Sequence, residues 1–357
     1  MSYKLNDKII GLKPYDPISG NYRMRLDANE SYISLNEDIR MDIAYAINEA
    51  DFNRYPDPTA AKACRKFADF YGIKAEHVTA GNGSDELISL IMTAFLKKDE
   101  GVLVFDPDFS MYKFYAGLTE NPVMILKKDE NLNIDVENAI REINENGIKA
   151  VFFSNPCNPT GQVLARDQVR RLINGVEALV VLDEAYMDFW DESLIKEVHE
   201  YDNVICLRTM SKAIGMAAVR MGFAVANPTL TKVLRAVKSP YNVNSLTQAA
   251  AETVLSNQGY LIDCIQLICR SRDKLYMLVK SVLDVRSDAI LYPTHTNFVF
   301  FRTDAARELY DYFAAYGIAI RRLGNGIRIT CSSDTDNREV ARLLEQFFAQ
   351  RDEAQGK

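Results

Sequence analysis

Short apolar runs alternate with segments of helical periodicity through the middle of the chain. Six runs rich in β-branched and aromatic residues predict strands, and apolar residues between several of them recur every three or four positions. Because strands separated by helices usually lie parallel in one sheet with helices over both faces, the pattern predicts an α/β fold with a mostly parallel sheet. The six predicted strands are GVLVFD (101–106), PVMILK (122–127), AVFFSN (150–155), ALVVLDEAY (178–186), VICLRTMS (204–211) and MGFAVAN (221–227).

The pattern changes after Pro240, where two helical segments, 245–255 and 260–283, precede a few short β-rich runs and two further helices. This succession is typical of a separate α+β unit. We therefore predict three parts, with boundaries set by this change of pattern. They are an N-terminal arm that joins the smaller domain (1–37), a large α/β domain (38–250) and a small C-terminal α+β domain (251–357).

Composition narrows the class of protein. The chain has 357 residues and a formal charge of −7, with acidic and basic residues interspersed, which argues against a nucleic-acid-binding protein. No apolar run reaches the ~20 residues of a membrane helix, and the first residues lack the apolar stretch of a signal peptide. The six cysteines are scattered and the three histidines lie apart, so we predict reduced thiols and no metal site. These features predict a cytoplasmic enzyme or binding protein.

Polar residues around one lysine predict a phosphate site. Lys212 follows an apolar strand, with the hydroxyl residues Thr209 and Ser211 before it and Arg220 eight residues after it. Two hydroxyls, an arginine and an amine at the end of a strand suit a phosphate group beside an amine nucleophile. A lysine in solvent after a strand is the alternative interpretation.

Three further segments place polar groups at strand or helix ends, where ligands bind in open α/β sheets. Asp183 ends a strand and Tyr186 follows it, which suits a cationic ring nitrogen and a ring hydroxyl. Asn158 lies in an NPTG turn after another strand and can point its amide at a ligand. Ser84 and Asp85, the predicted caps of a helix after a glycine-rich segment, lie where backbone N–H groups favour an anion. A capping aspartate and plain turns are the alternatives.

The order and spacing of these segments resemble the fold-type I pyridoxal-phosphate enzymes of aminotransferase class I and II. The shared order is a glycine-rich helix start, an aromatic residue after a strand (Phe109), NPTG, D-x-x-Y, and Ser-Lys with an arginine eight residues on. Three strings are further similar to histidinol-phosphate aminotransferases: IIGLKPYDP followed by LDANES, NRYPDP (53–58) and LRTMSKA. The resemblance covers nearly the whole chain. It implies a mostly parallel seven-stranded sheet between helices, beside a smaller α+β domain.

The resemblance implies pyridoxal 5′-phosphate as the cofactor and gives each matching residue a role. Lys212 would hold the cofactor covalently and shuttle a proton, and Asp183 would pair with the ring nitrogen. Two residues would bind the ring oxygen, Tyr186 and Asn158, while Phe109 would stack on the ring. The cofactor phosphate would be bound by Ser84, Asp85, Thr209, Ser211 and Arg220, and by Tyr55 from the other subunit of a homodimer. The substrate would be bound by Tyr15, Asn29, Arg321 and Arg328.

The resemblance predicts transfer of an amino group between two small molecules, with histidinol phosphate as donor and 2-oxoglutarate as acceptor. This sequence departs from the subgroup at Phe109, where tyrosine is usual, at residues 29–32, where NESY replaces the usual NENP, and at Ala218, where glycine is common. The alternatives are a threonine-phosphate decarboxylase, which SPYNVNSL (239–246) resembles, and an aminotransferase for aromatic or other amino acids. A cofactor-binding sensor is disfavoured, because the ~14 residues before Tyr15 are too few for a helix-turn-helix.

Overall fold

The computed structural model describes residues 3–14 and 17–355, and all counts below refer to these residues. The α-helices are α1 (Glu37–Asn48), α2 (Ala61–Tyr71), α3 (Ser84–Phe95), α4 (Met111–Leu118), α5 (Val136–Glu145), α6 (Arg166–Asn174), α7 (Pro228–Val237), α8 (Ser245–Ser256), α9 (Gln258–Leu283), α10 (Ala306–Ala315) and α11 (Asp334–Gln355). The strands are β1 (Met24–Arg25), β2 (Val78–Gly81), β3 (Val102–Asp106), β4 (Val123–Lys127), β5 (Ala150–Ser154), β6 (Leu179–Asp183), β7 (Val204–Thr209), β8 (Gly222–Ala226), β9 (Ala289–Tyr292), β10 (Phe298–Thr303), β11 (Ile318–Ala319), β12 (Arg321–Leu323) and β13 (Gly326–Thr330). None of these helices combines the length and the apolar composition that a membrane span requires.

Seven strands form the large sheet, in the order β2-β8-β7-β6-β5-β3-β4. The five strands from β7 to β4 run parallel, whereas β8 runs antiparallel to both of its neighbours. All six strands predicted in this region occur, so the prediction of a mostly parallel sheet in an α/β fold is confirmed. The sequence analysis missed β2, a short strand containing alanine and glycine, residues that give little strand signal.

Both faces of this sheet are covered by apolar layers. In β6, Val180 and Leu182 belong to one buried cluster and Val181 to the cluster on the other face. Because successive side chains of a strand point to opposite faces, this pattern leaves polar residues only at the strand ends. Asp183 ends β6, Thr209 ends β7 and Ser154 ends β5, so polar groups collect at the carboxyl edge.

A second, antiparallel sheet has the order β12-β13-β10-β9. Its apolar face packs against residues of α9, α10 and α11 in a separate buried cluster. Strand β1 pairs in parallel with β11, with Met24 opposite Ile318, so residues near the N-terminus lie beside this C-terminal part of the chain. The boundaries 1–37, 38–250 and 251–357 stay a prediction.

Candidate active site

One cavity of about 130 Å³ at the carboxyl edge of the large sheet collects the predicted cofactor-binding residues. Every residue predicted for that role except Tyr55 lines it. The lining residues are Ser84, Asp85, Phe109, Ser154, Asn158, Asp183, Ala185, Tyr186, Thr209, Ser211, Lys212 and Arg220. Segments that are far apart in sequence therefore meet in one place, as expected for the ends of parallel strands.

Asp183 presents a buried carboxylate to this cavity. It is 3% exposed; its Oδ2 accepts a hydrogen bond from the Tyr112 hydroxyl at 2.8 Å, and its Oδ1 accepts one from the Ala185 N–H at 3.1 Å. In the part of the chain that the structure describes, no cationic side chain forms an ion pair with it. Burial raises the pKa of Asp183 to about 7. A cationic ligand group beside it would lower that pKa and hold the carboxylate ionised.

Hydroxyl, guanidinium and backbone groups form a cradle for an anion on the other side of the cavity. The Thr209 hydroxyl donates to Ser211 Oγ at 3.0 Å, and Arg220 Nη1 donates to the same oxygen at 3.2 Å. Helix α3 begins here at Ser84. The prediction that Ser84 and Asp85 cap it was wrong: Gly83 is the N-cap, and no side chain caps the helix. The first N–H groups of α3 are thus left to bind an anion.

Two glycines allow this cradle to close. A Cβ atom at Gly222 in β8 would lie 2.5 Å from the backbone nitrogen of Ser84, and one at Gly83 would lie 2.8 Å from Arg220 Nη2. Both distances are shorter than real contacts of a Cβ atom. Gly83 also has a φ of 82°, which side chains disfavour. Glycine at both positions therefore lets the start of α3, strand β8 and the arginine approach one another.

Lys212 lies between the first cavity and a larger one of about 510 Å³, and it lines both. Its Nζ donates to the backbone oxygen of Ala28 at 3.0 Å and lies 5.8 Å from the centre of the Tyr186 ring. The Tyr186 hydroxyl accepts a hydrogen bond from Asn29 Nδ2 at 2.8 Å. Asn29, predicted to bind substrate, is therefore beside the tyrosine predicted to bind cofactor. The amine of Lys212 can reach molecules in both cavities.

The larger cavity has two arginines in its wall. Arg321 in β12 lies directly opposite Arg328 in β13, and opposite residues of an antiparallel pair share one face. Arg328 Nη2 donates to the backbone oxygen of Asp27 at 2.6 Å, and its Nη1 donates to the side-chain oxygen of Asn158. Paired guanidinium groups suit carboxylate or phosphate oxygens. The cavity that Lys212 enters is therefore suited to an anionic molecule.

One predicted residue is not brought to these cavities. The Tyr55 side chain is 80% exposed and stacks on Tyr241, with ring centres 4.6 Å apart, and it lines neither cavity of its own chain. Its predicted role in the other subunit's site stays a prediction. Tyr15 lies outside the described residues.

Some residues of the site were not predicted from the sequence, and three of them contact predicted residues or line the first cavity. Tyr112, whose hydroxyl donates to Asp183, lies in the first turn of α4, three residues after Phe109, and nothing in the sequence distinguishes it from a core tyrosine. Ser154 lines the first cavity and lies four residues before Asn158 of the NPTG segment. Asp27 belongs to the LDANES string, which is part of the resemblance, and its backbone oxygen holds Arg328.

Comparison with known proteins identifies the family of this chain. Residues 23–347 match the family model described as aminotransferase class I and II. The match covers most of the chain and includes every residue of both cavities described above. The chain belongs to the aminotransferase class I and II family.

Two sequence relatives of the chain share one name. The histidinol-phosphate aminotransferase of Clostridium kluyveri is 38% identical over 340 residues, which are 94% of this chain and 96% of that protein. The histidinol-phosphate aminotransferase of Clostridium novyi is 38% identical over 337 residues, 93% of this chain and 94% of that protein. Among solved structures, the histidinol-phosphate aminotransferase of Sinorhizobium meliloti in complex with pyridoxal-5′-phosphate has a TM-score of 0.86. The alignment covers 97% of this chain and 98% of that chain at 22% identity, so the two proteins share a fold.

Proposed function

We propose that this chain is a pyridoxal-phosphate-dependent aminotransferase that moves the amino group of histidinol phosphate to 2-oxoglutarate. The observation that carries the proposal is the placement of Arg321 opposite Arg328 in the wall of the cavity that the Lys212 amine enters. Both substrates in this reaction are anions, and the relatives described above are named for the same activity.

The first cavity has the groups that pyridoxal phosphate needs. The amine of Lys212 would hold the cofactor covalently, and the Asp183 carboxylate, with no cation of its own among the described residues, would pair with the protonated ring nitrogen. The hydroxyls of Thr209 and Ser211, the Arg220 guanidinium and the uncapped start of α3 would bind the phosphate. When bound, the cofactor supplies an electron-withdrawing ring that stabilises negative charge on the substrate's α-carbon.

The residues around that ring hold and move protons. Asp183 remains ionised once a cation lies beside it, because the attraction offsets the burial that raises its pKa to about 7. Tyr112 and the Ala185 N–H fix the orientation of the carboxylate. The Nζ atom of Lys212 takes the proton from the substrate carbon and returns it to the product, since this amine borders both cavities.

The arginines bind the substrate's anionic end. Arg328 is 8% exposed, so a carboxylate or phosphate bonded to it lies away from water, where charge-assisted hydrogen bonds are strong. Arg321 beside it adds a second guanidinium for the larger charge of a phosphate. A neutral analogue would lack these charge-assisted hydrogen bonds.

A substrate screen on the purified holoenzyme tests the proposal. Histidinol phosphate with 2-oxoglutarate should form glutamate, with a specificity constant at least ~100-fold above that of histidinol, which is about 2.7 kcal/mol. Phenylalanine and threonine phosphate are measured in parallel, the latter also for release of carbon dioxide. Faster reaction with phenylalanine, or release of carbon dioxide from threonine phosphate, would contradict histidinol phosphate as the substrate. Either result would leave the proposed cofactor chemistry in place.

We also propose that two chains associate as a homodimer with shared sites. The support is the exposed pair of rings formed by Tyr55 and Tyr241, which lines neither of the two cavities of its own chain. Mixing Tyr55→Ala protein with Lys212→Ala protein should restore part of the activity through subunit exchange, because one hybrid site then carries both residues. Exchange without recovery would contradict a shared site. A cytoplasmic location stays a prediction.

A further inference from the structure

A buried lysine and a buried cysteine touch each other beside the active site, and the proposed reaction uses neither. Lys128 follows β4, and Cys157 lies in the segment between β5 and the NPTG turn. The Nζ atom of Lys128 donates a hydrogen bond to the Sγ atom of Cys157 at 3.0 Å. The Lys128 side chain and Cys157 are each 2% exposed. The packing therefore holds an amine against a sulfur atom.

The surroundings of this pair admit a small molecule. A cavity of about 10 Å³ is lined by both side chains together with Ser154 and Asn155. This volume is about the least that holds one water molecule, so an oxidant that reaches the pair must be very small, and hydrogen peroxide is among the smallest. Nearby, Asp108 lies 3.6 Å from Lys128 Nζ, and its own side chain is 1% exposed.

We propose that Lys128 and Cys157 form a site of reversible oxidation, where hydrogen peroxide links the two side chains through one oxygen atom. The S–H bond and two N–H bonds of the Lys128 ammonium break, one S–O bond and one O–N bond form, and one proton is released. Two peroxide molecules accept the four electrons, and three molecules of water leave. The first peroxide oxidises the thiol to a sulfenic acid, a usual first step of cysteine oxidation. The second joins that oxygen to the amine.

The distance favours an oxygen bridge over a direct bond. The two atoms are 3.0 Å apart, a gap that one inserted oxygen atom spans with little movement. A direct sulfur–nitrogen bond, formed by loss of water from the sulfenic acid, would require the two side chains to approach much more closely. Both are held in a densely packed region, where such movement is costly.

Oxidation at this pair would also affect the active site. Asp108 accepts hydrogen bonds from Ser154 Oγ at 2.5 Å and from the Phe109 N–H at 2.7 Å. Ser154 Oγ in turn accepts one from the Asn158 N–H at 3.0 Å. The bridge removes the lysine charge that faces Asp108 and leaves a buried carboxylate without its cation. We therefore expect the bridged protein to lose activity through displacement of Phe109 and Asn158.

Mass spectrometry of the holoenzyme tests the proposal. After treatment with hydrogen peroxide, the intact chain should gain about 14 Da, the mass of one oxygen minus two hydrogens, and peptide mapping should join the peptides of Lys128 and Cys157. Dithiothreitol should restore both the original mass and the activity. Lys128→Met and Cys157→Ser should each prevent the gain. Two matched controls, Lys127→Met at the exposed neighbouring lysine and Cys269→Ser at another cysteine, should retain it.

Other masses would overturn the inference. A loss of about 2 Da indicates a direct sulfur–nitrogen bond, and gains of about 16, 32 or 48 Da on Cys157 alone indicate ordinary thiol oxidation without a bridge. A bridge that leaves activity unchanged would overturn the link to the active site. If Lys128→Met fails to fold, the linked peptides of the wild-type protein still show whether the bridge forms. The mass change is also independent of which reaction the enzyme catalyses.

Discussion

Two groups of buried charges lie side by side at the ends of β6 and β7, and they are satisfied in different ways. Glu184 and Asp188 form ion pairs with Arg208, each at 2.7 Å, and all three side chains are at most 6% exposed. Glu184 Oε1 also accepts a hydrogen bond from the backbone N–H of Leu194, and the Tyr71 hydroxyl donates to Asp188. This group, the closed charge cluster, pairs its charges within the chain.

The neighbouring positions on the same strands belong to the active site. Asp183 precedes Glu184 and Thr209 follows Arg208, and successive residues of a strand point to opposite faces. On that side, Asp183 and Lys212 have no ion-pair partner among the described residues, although both border one cavity. A buried charge without a partner costs folding free energy unless a ligand completes it. The comparison separates charges that stabilise the fold from charges kept for a ligand.

The largest expected effect comes from the active-site side of this comparison. Asp183→Asn should retain cofactor binding and lower the rate of the half-reaction by about 10³-fold or more, roughly 4 kcal/mol, because the ring nitrogen loses its ionised partner. Single-turnover absorbance measurements with histidinol phosphate give this rate. Thermal unfolding should show no loss of stability. Near-normal turnover would show that the carboxylate has another role.

Removing the cation of the closed charge cluster should instead damage the fold. Arg208→Met leaves the buried carboxylates of Glu184 and Asp188 unpaired and should lower the free energy of unfolding by about 3–5 kcal/mol. Urea denaturation of the cofactor-free protein measures it. Arg220→Met is the matched control, since this exposed arginine should change stability little and weaken cofactor binding. Equal stability losses in the two variants would contradict the distinction between the groups.

Substitution of Arg328 and of Arg321 should affect the two half-reactions differently. Arg328→Ala should lower the rate of both half-reactions by about 100-fold, because every substrate anion needs this buried guanidinium. Arg321→Ala should slow mainly the half-reaction with histidinol phosphate and have a smaller effect on that with glutamate. Stopped-flow measurement of each half-reaction separates the two. An equal effect of Arg321→Ala on both halves would assign that residue to general anion binding.

The smallest effect concerns pH. Burial raises the pKa of Asp183 from 3.8 to about 7, so the folded chain holds a proton that the unfolded chain releases between these values. Stability from this group is therefore present below the lower pKa and is lost as pH rises through the higher one. Between pH 5 and 7 the free energy of unfolding of the cofactor-free protein should fall by about 2 kcal/mol more than that of the Asp183→Asn variant. Parallel pH profiles of the two proteins would contradict the raised pKa.

The fold could be predicted well where apolar runs were strong. Strands β3 to β8 carry continuous apolar sequences, and each was predicted within two residues at its start, although the predicted ends ran up to three residues further. Strands β1 and β2 were not predicted, because two to four residues carry no period of their own. Their positions depend on pairing with distant strands, β11 and β8.

The site could be predicted where its residues follow strand ends in a recognisable order. Lys212, Asp183, Asn158 and Arg220 met this condition. Tyr112 did not, because its hydroxyl becomes important only when α4 packs it against the end of β6. The capping of α3 was mispredicted for a related reason: Gly83 takes the cap position because β8 and Arg220 approach too closely for a side chain.

Covalent labelling tests most directly the claim that the unpaired charges are kept for a cofactor. The purified chain is saturated with pyridoxal phosphate, reduced with borohydride and digested, and the labelled peptide is identified by mass spectrometry. The account predicts that the label is on Lys212 and that Lys212→Ala abolishes it, while the exposed Lys127 and the buried Lys128 stay unlabelled. Stoichiometric label on any other lysine would contradict the account.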